Sequence, residues 1–103
     1  MEPIQIIGID SLDEQEQELA TTLINSYFKK IILIIKKVDS LIVHIKAHTK
    51  GGKRKKYDIR VRVLAPTRMF ETQESDWDLA RTLHKVLKNM EREIEHKLAS
   101  KKE

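Results

Sequence analysis

The 103-residue chain has no cysteine, which excludes disulfide frameworks and thiolate zinc sites and fits a reducing cytoplasm. It also lacks the roughly 18 uncharged apolar residues that a membrane-spanning helix needs. The closest candidate, IILIIKKV at 31–38, is far too short. The opening MEPIQIIGIDSLDEQ has no basic leader followed by an apolar core, so no secretory signal is expected. Patterns that carry catalysis are missing too: there is no G-x-S-x-G, no phosphate-binding loop and no HExxH. His44, His48, His84 and His96 show no metal-ligand spacing, and the acids of DEQEQE at 13–18 read as first-turn helix acids rather than a catalytic pair. The sequence therefore points to a cytoplasmic protein that is not an enzyme, with no catalytic residue, metal, cofactor, small-molecule substrate or membrane partner.

One sign of charge is absent from a whole segment. Residues 1–28 contain Glu2, Asp10, Asp13, Glu14, Glu16 and Glu18 but no Lys or Arg. Residues 46–68 reverse this, with Lys46, Lys50, Lys53, Arg54, Lys55, Lys56, Arg60, Arg62 and Arg68 against Asp58 alone. A net charge of +4 distributed so unevenly suggests a polyanionic partner, and without a membrane-inserting element nucleic acid is favoured over lipid. The length suits one domain, taken as residues 1–103.

Periodicity orders the elements. IQIIGI at 4–9 reads as a β-branched strand closed by Gly8. Ser11 with Glu14 fits a capping box for a helix running to about Val38, whose apolar stripe gathers Ala20, Leu23, Ile24, Tyr27, Ile31, Ile34, Ile35 and Val38. Leu33 falls outside that stripe. The period then becomes two: Leu41, Val43, Ile45 and Ala47 share one face, and Ile42, His44, Lys46 and His48 the other. After the basic loop KGGKRKK at 50–56, Tyr57, Ile59, Val61 and Val63 alternate inward while Asp58, Arg60 and Arg62 point outward. Pro66 turns the chain into a short strand at Arg68 to Thr72, and Ser75 is the expected N-cap of a last helix, with Trp77 as a lid on the core and a base-stacking platform as the alternative. The expected fold class is α+β: a two-layer sandwich of four mostly antiparallel strands with both helices on one face, in the order β-α-β-β-β-α.

The last helix carries the sharpest signal. In RTLHKVLKNMER at 81–92, the cations Arg81, Lys85, Lys88 and Arg92 are spaced four, three and four apart. At about 100° per residue they lie within roughly 60°, opposite Leu79, Leu83, Leu87, Met90 and Ile94. The result is a ridge of one sign, with Glu91, Glu93 and Glu95 on its flanks. A helix selected only for stability would mix signs there.

The chain resembles the short ribosome hibernation-promoting factors and ribosome-associated inhibitors, whose element order is close to that of double-stranded RNA-binding domains with an added first strand. IQIIG resembles the family's opening strand. LINSYFKKIILIIKKVDSLIVHIK at 23–46 keeps the family's spacing from the helix aromatic Phe28 to the second strand, and MFETQESDWDLARTL at 69–83 resembles the passage into the final helix, with Trp77 where a Tyr is usual. The resemblance implies that the partner is the small ribosomal subunit and its rRNA, bound in the decoding region so that translation is silenced or idle ribosomes are protected. It also implies a short form without the second domain of longer members. Carried over by position, the RNA-binding residues are Arg81, Lys85, Lys88 and Arg92, then Lys29, Lys30, Lys36 and Lys37. Lys50, Lys53, Arg54, Lys55 and Lys56 of the loop, and Lys46, Arg60 and Arg62 of the outer sheet face, join them on charge alone. Two other readings stay open: a general module for double-stranded or structured RNA, and an interaction protein whose basic surface serves solubility. ESDWD at 74–78 weakens the former, because acids there repel a phosphate backbone.

Overall fold

Alternation at period two shapes the middle of the chain. In the computed structural model, which describes residues 3–50, 52 and 54–100, the strands are β1 (Ile4–Ile7), β2 (Ser40–Lys50), β3 (Arg54–Ala65) and β4 (Arg68–Asp76), and the helices α1 (Glu14–Ile34) and α2 (Leu79–Ser100). The sheet order is β1-β2-β3-β4. Parallel β1 pairs with β2, while the β2–β3 and β3–β4 pairs are antiparallel. Leu41, Val43 and Ile45 of β2 and Tyr57, Ile59, Val61 and Val63 of β3 are buried. They form one core with Ala20, Ile24, Tyr27 and Ile31 of α1 and with Leu83, Val86, Leu87, Met90 and Ile94 of α2. Burying each such large aliphatic side chain contributes about 1.5–3 kcal/mol, well above the roughly 0–1 kcal/mol of an exposed ion pair. The apolar rows therefore determine the layers, and the surface charges are left available.

Several element ends differ from the sequence-based expectation. Asp13, not Ser11, caps α1: its carboxylate accepts from Glu16 N–H at 2.8 Å while Glu16 accepts from Asp13 N–H at 3.0 Å. Ser11 instead ends a single 3-10 turn, Ile9–Ser11, and donates its hydroxyl to the Gly8 carbonyl. Leu12, between the turn and the helix, is buried in the core. Helix α1 ends at Ile34 rather than near Val38, so Lys36 and Lys37 lie in the connection to β2. Leu33 is left 80% exposed.

At the other end, β4 runs on to Asp76, four residues past the expected Thr72. Its inner row is polar after Phe70, and α2 supplies partners for it. Thr72 donates to the Val86 carbonyl at 3.0 Å, and Glu74 accepts from the Asn89 side chain at 2.7 Å. Ser75 does not cap α2; its hydroxyl bonds to Asp58 on β3. Asp78 is the cap, accepting from Arg81 N–H at 2.8 Å, and the buried Thr82 hydroxyl donates to the Asp78 carbonyl at 2.6 Å. Trp77 falls in the bend between β4 and α2 and is 43% exposed, so it is not the expected core lid.

Gly8 joins β1 to the 3-10 turn with φ 88°, and a Cβ there would lie 2.1 Å from the Ile45 carbonyl oxygen. Both the left-handed backbone and the close approach to β2 require glycine. Gly8→Ala should cost about 2–4 kcal/mol of stability, measured by equilibrium urea unfolding; a midpoint equal to that of the wild type would contradict this packing.

Candidate nucleic-acid interface

Basic side chains fall into two classes according to whether a carboxylate reaches them. On the outer sheet face, Arg60 and Arg62 both approach Glu71 of β4 at 3.5 Å, and His48 lies 3.0 Å from Asp58. The positive sheet face expected from β2 and β3 is therefore offset by acids that the register brings opposite: Arg62 faces Glu71 directly. At the hairpin tip, the ladder extends to Lys50 opposite Arg54, so Arg54, Lys55 and Lys56 of the loop expected at 50–56 belong to β3. Lys55 turns to Glu16 of α1 at 3.4 Å, while Arg54 and Lys56 lie over the Trp77 ring. The side chain of Lys50 and the whole of Lys53 lie outside the described residues.

The ridge on α2 is divided in the same way. Arg81 and Lys85 reach Asp76 at 3.7 and 3.0 Å, and the three side chains are 64%, 48% and 13% exposed respectively. The acid is covered by its two partners. Lys88 and Arg92, one and two turns further on, are exposed with no carboxylate in ion-pair reach among the described residues. The same holds for Lys29, Lys36, Lys37 and Lys46. Lys30 of α1 sits over the Tyr27 ring at 4.7 Å, and the Tyr27 hydroxyl meets His84 Nδ1 at 3.3 Å. His84 stands one turn from both Arg81 and Lys88, so this contact ties α1 to the helix that carries the ridge.

Three carboxylates are held below their usual range by these contacts. For Asp76 the Trp77 backbone N–H is the main cause, followed by Lys85. For Asp58 it is the Ser75 hydroxyl, with His48 adding to it against the opposing effect of burial. Burial raises Glu16 as well, but the Tyr57 hydroxyl, the Asp13 N–H and Lys55 outweigh it. Asp76 was the acid least visible in the sequence as a partner of the ridge. The signal that could have found it is the alternation Phe70, Thr72, Glu74, Asp76, which puts it on the inner row facing α2.

In the structural comparison, the chain superposes on a ribosomal subunit interface protein from Coxiella burnetii with a TM-score of 0.65 and 14% identity, over 93% of this chain and 94% of that one. It shares that protein's fold. The N-terminal domain of Protein Y from Thermus thermophilus matches as well, with a TM-score of 0.54 and 14% identity, over 90% of this chain and 93% of that domain. No family model and no curated protein matches the sequence. Among the described residues no helix of this fold is long and apolar enough to cross a membrane, and no three His, Asp or Glu side chains converge as metal ligands would.

A folded-state carboxylate whose pKa lies below the unfolded value, about 3.9 for Asp, stabilises the fold fully above that value. The contribution is lost as pH falls through the lower, folded-state pKa. Urea stability should thus be level down to about pH 4–5 and decline below it, and Asp76→Asn should make the decline shallower. An unchanged acid limb in that variant would mean that Asp76 is not held below its usual range in solution.

Proposed function

We propose that this chain binds the small ribosomal subunit through its rRNA, occupies the decoding region, and silences translation or protects idle ribosomes without catalysing a reaction. The observation that carries the reading is the unneutralised cationic face of the helix layer. Lys88 and Arg92 on α2 lack acidic partners among the described residues, as do Lys29 and Lys30 on α1. Unpaired cations on rigid helices hold phosphate at fixed spacing without first breaking an internal ion pair, so phosphate contacts supply affinity and the shape of the site supplies selectivity. The fold supports the reading, since both compared structures carry it and one is named as a ribosomal subunit interface protein. The general duplex-RNA reading is disfavoured by Asp78 at the N-terminus of α2, where a duplex-binding domain grips phosphate. Within this reading the protein acts in the cytoplasm as a single domain.

Binding to purified small subunits tests it. With six to ten phosphate contacts, affinity should drop by about 10³–10⁵ between about 50 and 200 mM salt. The double variant Lys88→Gln, Arg92→Gln should bind more weakly, with a log–log salt slope shallower by about 1.4–1.8, because two contacts are removed. Glutamine keeps the helix propensity. A wild-type affinity independent of salt, or equal slopes for the folded variant and the wild type, would overturn the assignment of this face.

A further inference from the structure

Trp77 is the only tryptophan of the chain, and it stands in the bend between β4 and α2 with 43% of its surface exposed. The Arg54 guanidinium lies 4.5 Å from its ring centroid and the Lys56 ammonium 5.9 Å. Residues 54 and 56 alternate with Lys55 and Tyr57 along β3, so they emerge on the opposite side of the strand. The acids around this corner are occupied elsewhere. Glu16 takes the Tyr57 hydroxyl at 2.5 Å and Lys55 at 3.4 Å. Asp76 takes Arg81 and Lys85, and Asp78 takes the Arg81 N–H. Among the described residues no carboxylate is in ion-pair reach of Arg54 or Lys56. A shallow groove lined by Glu16, Arg54, Lys55, Tyr57 and Trp77 opens beside the ring.

We propose that Trp77, Arg54 and Lys56 form a stacking platform for one unpaired nucleobase of the bound RNA. The base lies on the exposed indole surface, and the two cations hold the phosphates on either side of it. Every base offers a π-face, and a planar guanidinium stacks on bases as it does on indole, so the platform accepts any nucleotide sequence. It does not accept a duplex, whose bases already stack on one another. The inference rests on the RNA-binding reading above, but it uses residues at the hairpin end of the sheet rather than Lys88 and Arg92.

Because Trp77 is the sole indole, its fluorescence reports on the platform directly. The full chain is titrated with a single-stranded oligoadenylate of about ten nucleotides, within the usual site size, with an abasic ribose-phosphate strand of equal length, and with a blunt duplex of equal phosphate number. Oligoadenylate should quench the emission and bind about 5- to 150-fold more tightly than the abasic strand, while the abasic strand and the duplex should not quench. Trp77→Ala should lose that margin and bind both single strands alike, whereas Trp77→Phe, which keeps a π-face, should retain most of it. Thermal midpoints establish that both variants are folded, and the wild-type titration needs no variant. Oligoadenylate that binds without quenching, or no better than the abasic strand, overturns the platform and leaves phosphate binding by the helix layer standing. Failure of every RNA, together with failure to bind small subunits, removes both.

Discussion

The carboxylate of Glu16 joins elements that are far apart in sequence. As the third residue of α1 it closes the capping box with Asp13, and it also accepts from the Tyr57 hydroxyl at 2.5 Å and meets Lys55 at 3.4 Å. Burial, then the Glu16 hydrogen bond and charge, push the Tyr57 hydroxyl well above its usual range, so it remains a donor. One side chain thus satisfies the first turn of α1, pins that turn to β3 and withdraws Lys55 from the hairpin's cations. Because neighbouring strand residues alternate in direction, fixing Lys55 and Tyr57 toward α1 also fixes Arg54 and Lys56 away from it, toward Trp77.

The same division runs through the molecule. On the sheet Glu71 neutralises Arg60 and Arg62, while Asp58 engages His48. Asp76 neutralises the first turn of the ridge and leaves its last two turns charged. Exposed ion pairs of this kind contribute little to stability, about 0–1 kcal/mol each, so their main effect is on where positive potential remains. A net charge of +4 understates that potential, because the neutralised and unneutralised cations occupy different faces.

Most of the fold was legible because its buried rows are apolar and strictly periodic. The alternations Leu41 to Ile45 and Tyr57 to Val63, and the α2 stripe Leu79 to Ile94, are buried as their spacing indicates. What periodicity missed depends on polar contacts between elements. The spacing of Ser11 and Glu14 suggests a capping box there, but the box is closed by Asp13 and Glu16, two residues on. The pattern ends the strand at Thr72 and caps the last helix at Ser75, but β4 runs on to Asp76, and polar Thr72, Glu74 and Asp76 each find a partner on α2. The sequence pattern places Trp77 in the helix, where it would be a lid; the Asp78 cap places it one residue outside. The cationic ridge was read from spacing alone, whereas its division by Asp76 required the register of β4 against α2.

In the proposed function the helix layer is the surface that meets ribosomal RNA. Sedimentation of the labelled full chain with purified small subunits through a low-salt gradient tests it most directly. The chain should travel with the subunits and return to the top of the gradient when competing polyphosphate is added in excess. Recovery at the top of the low-salt gradient at every subunit concentration would contradict the claim.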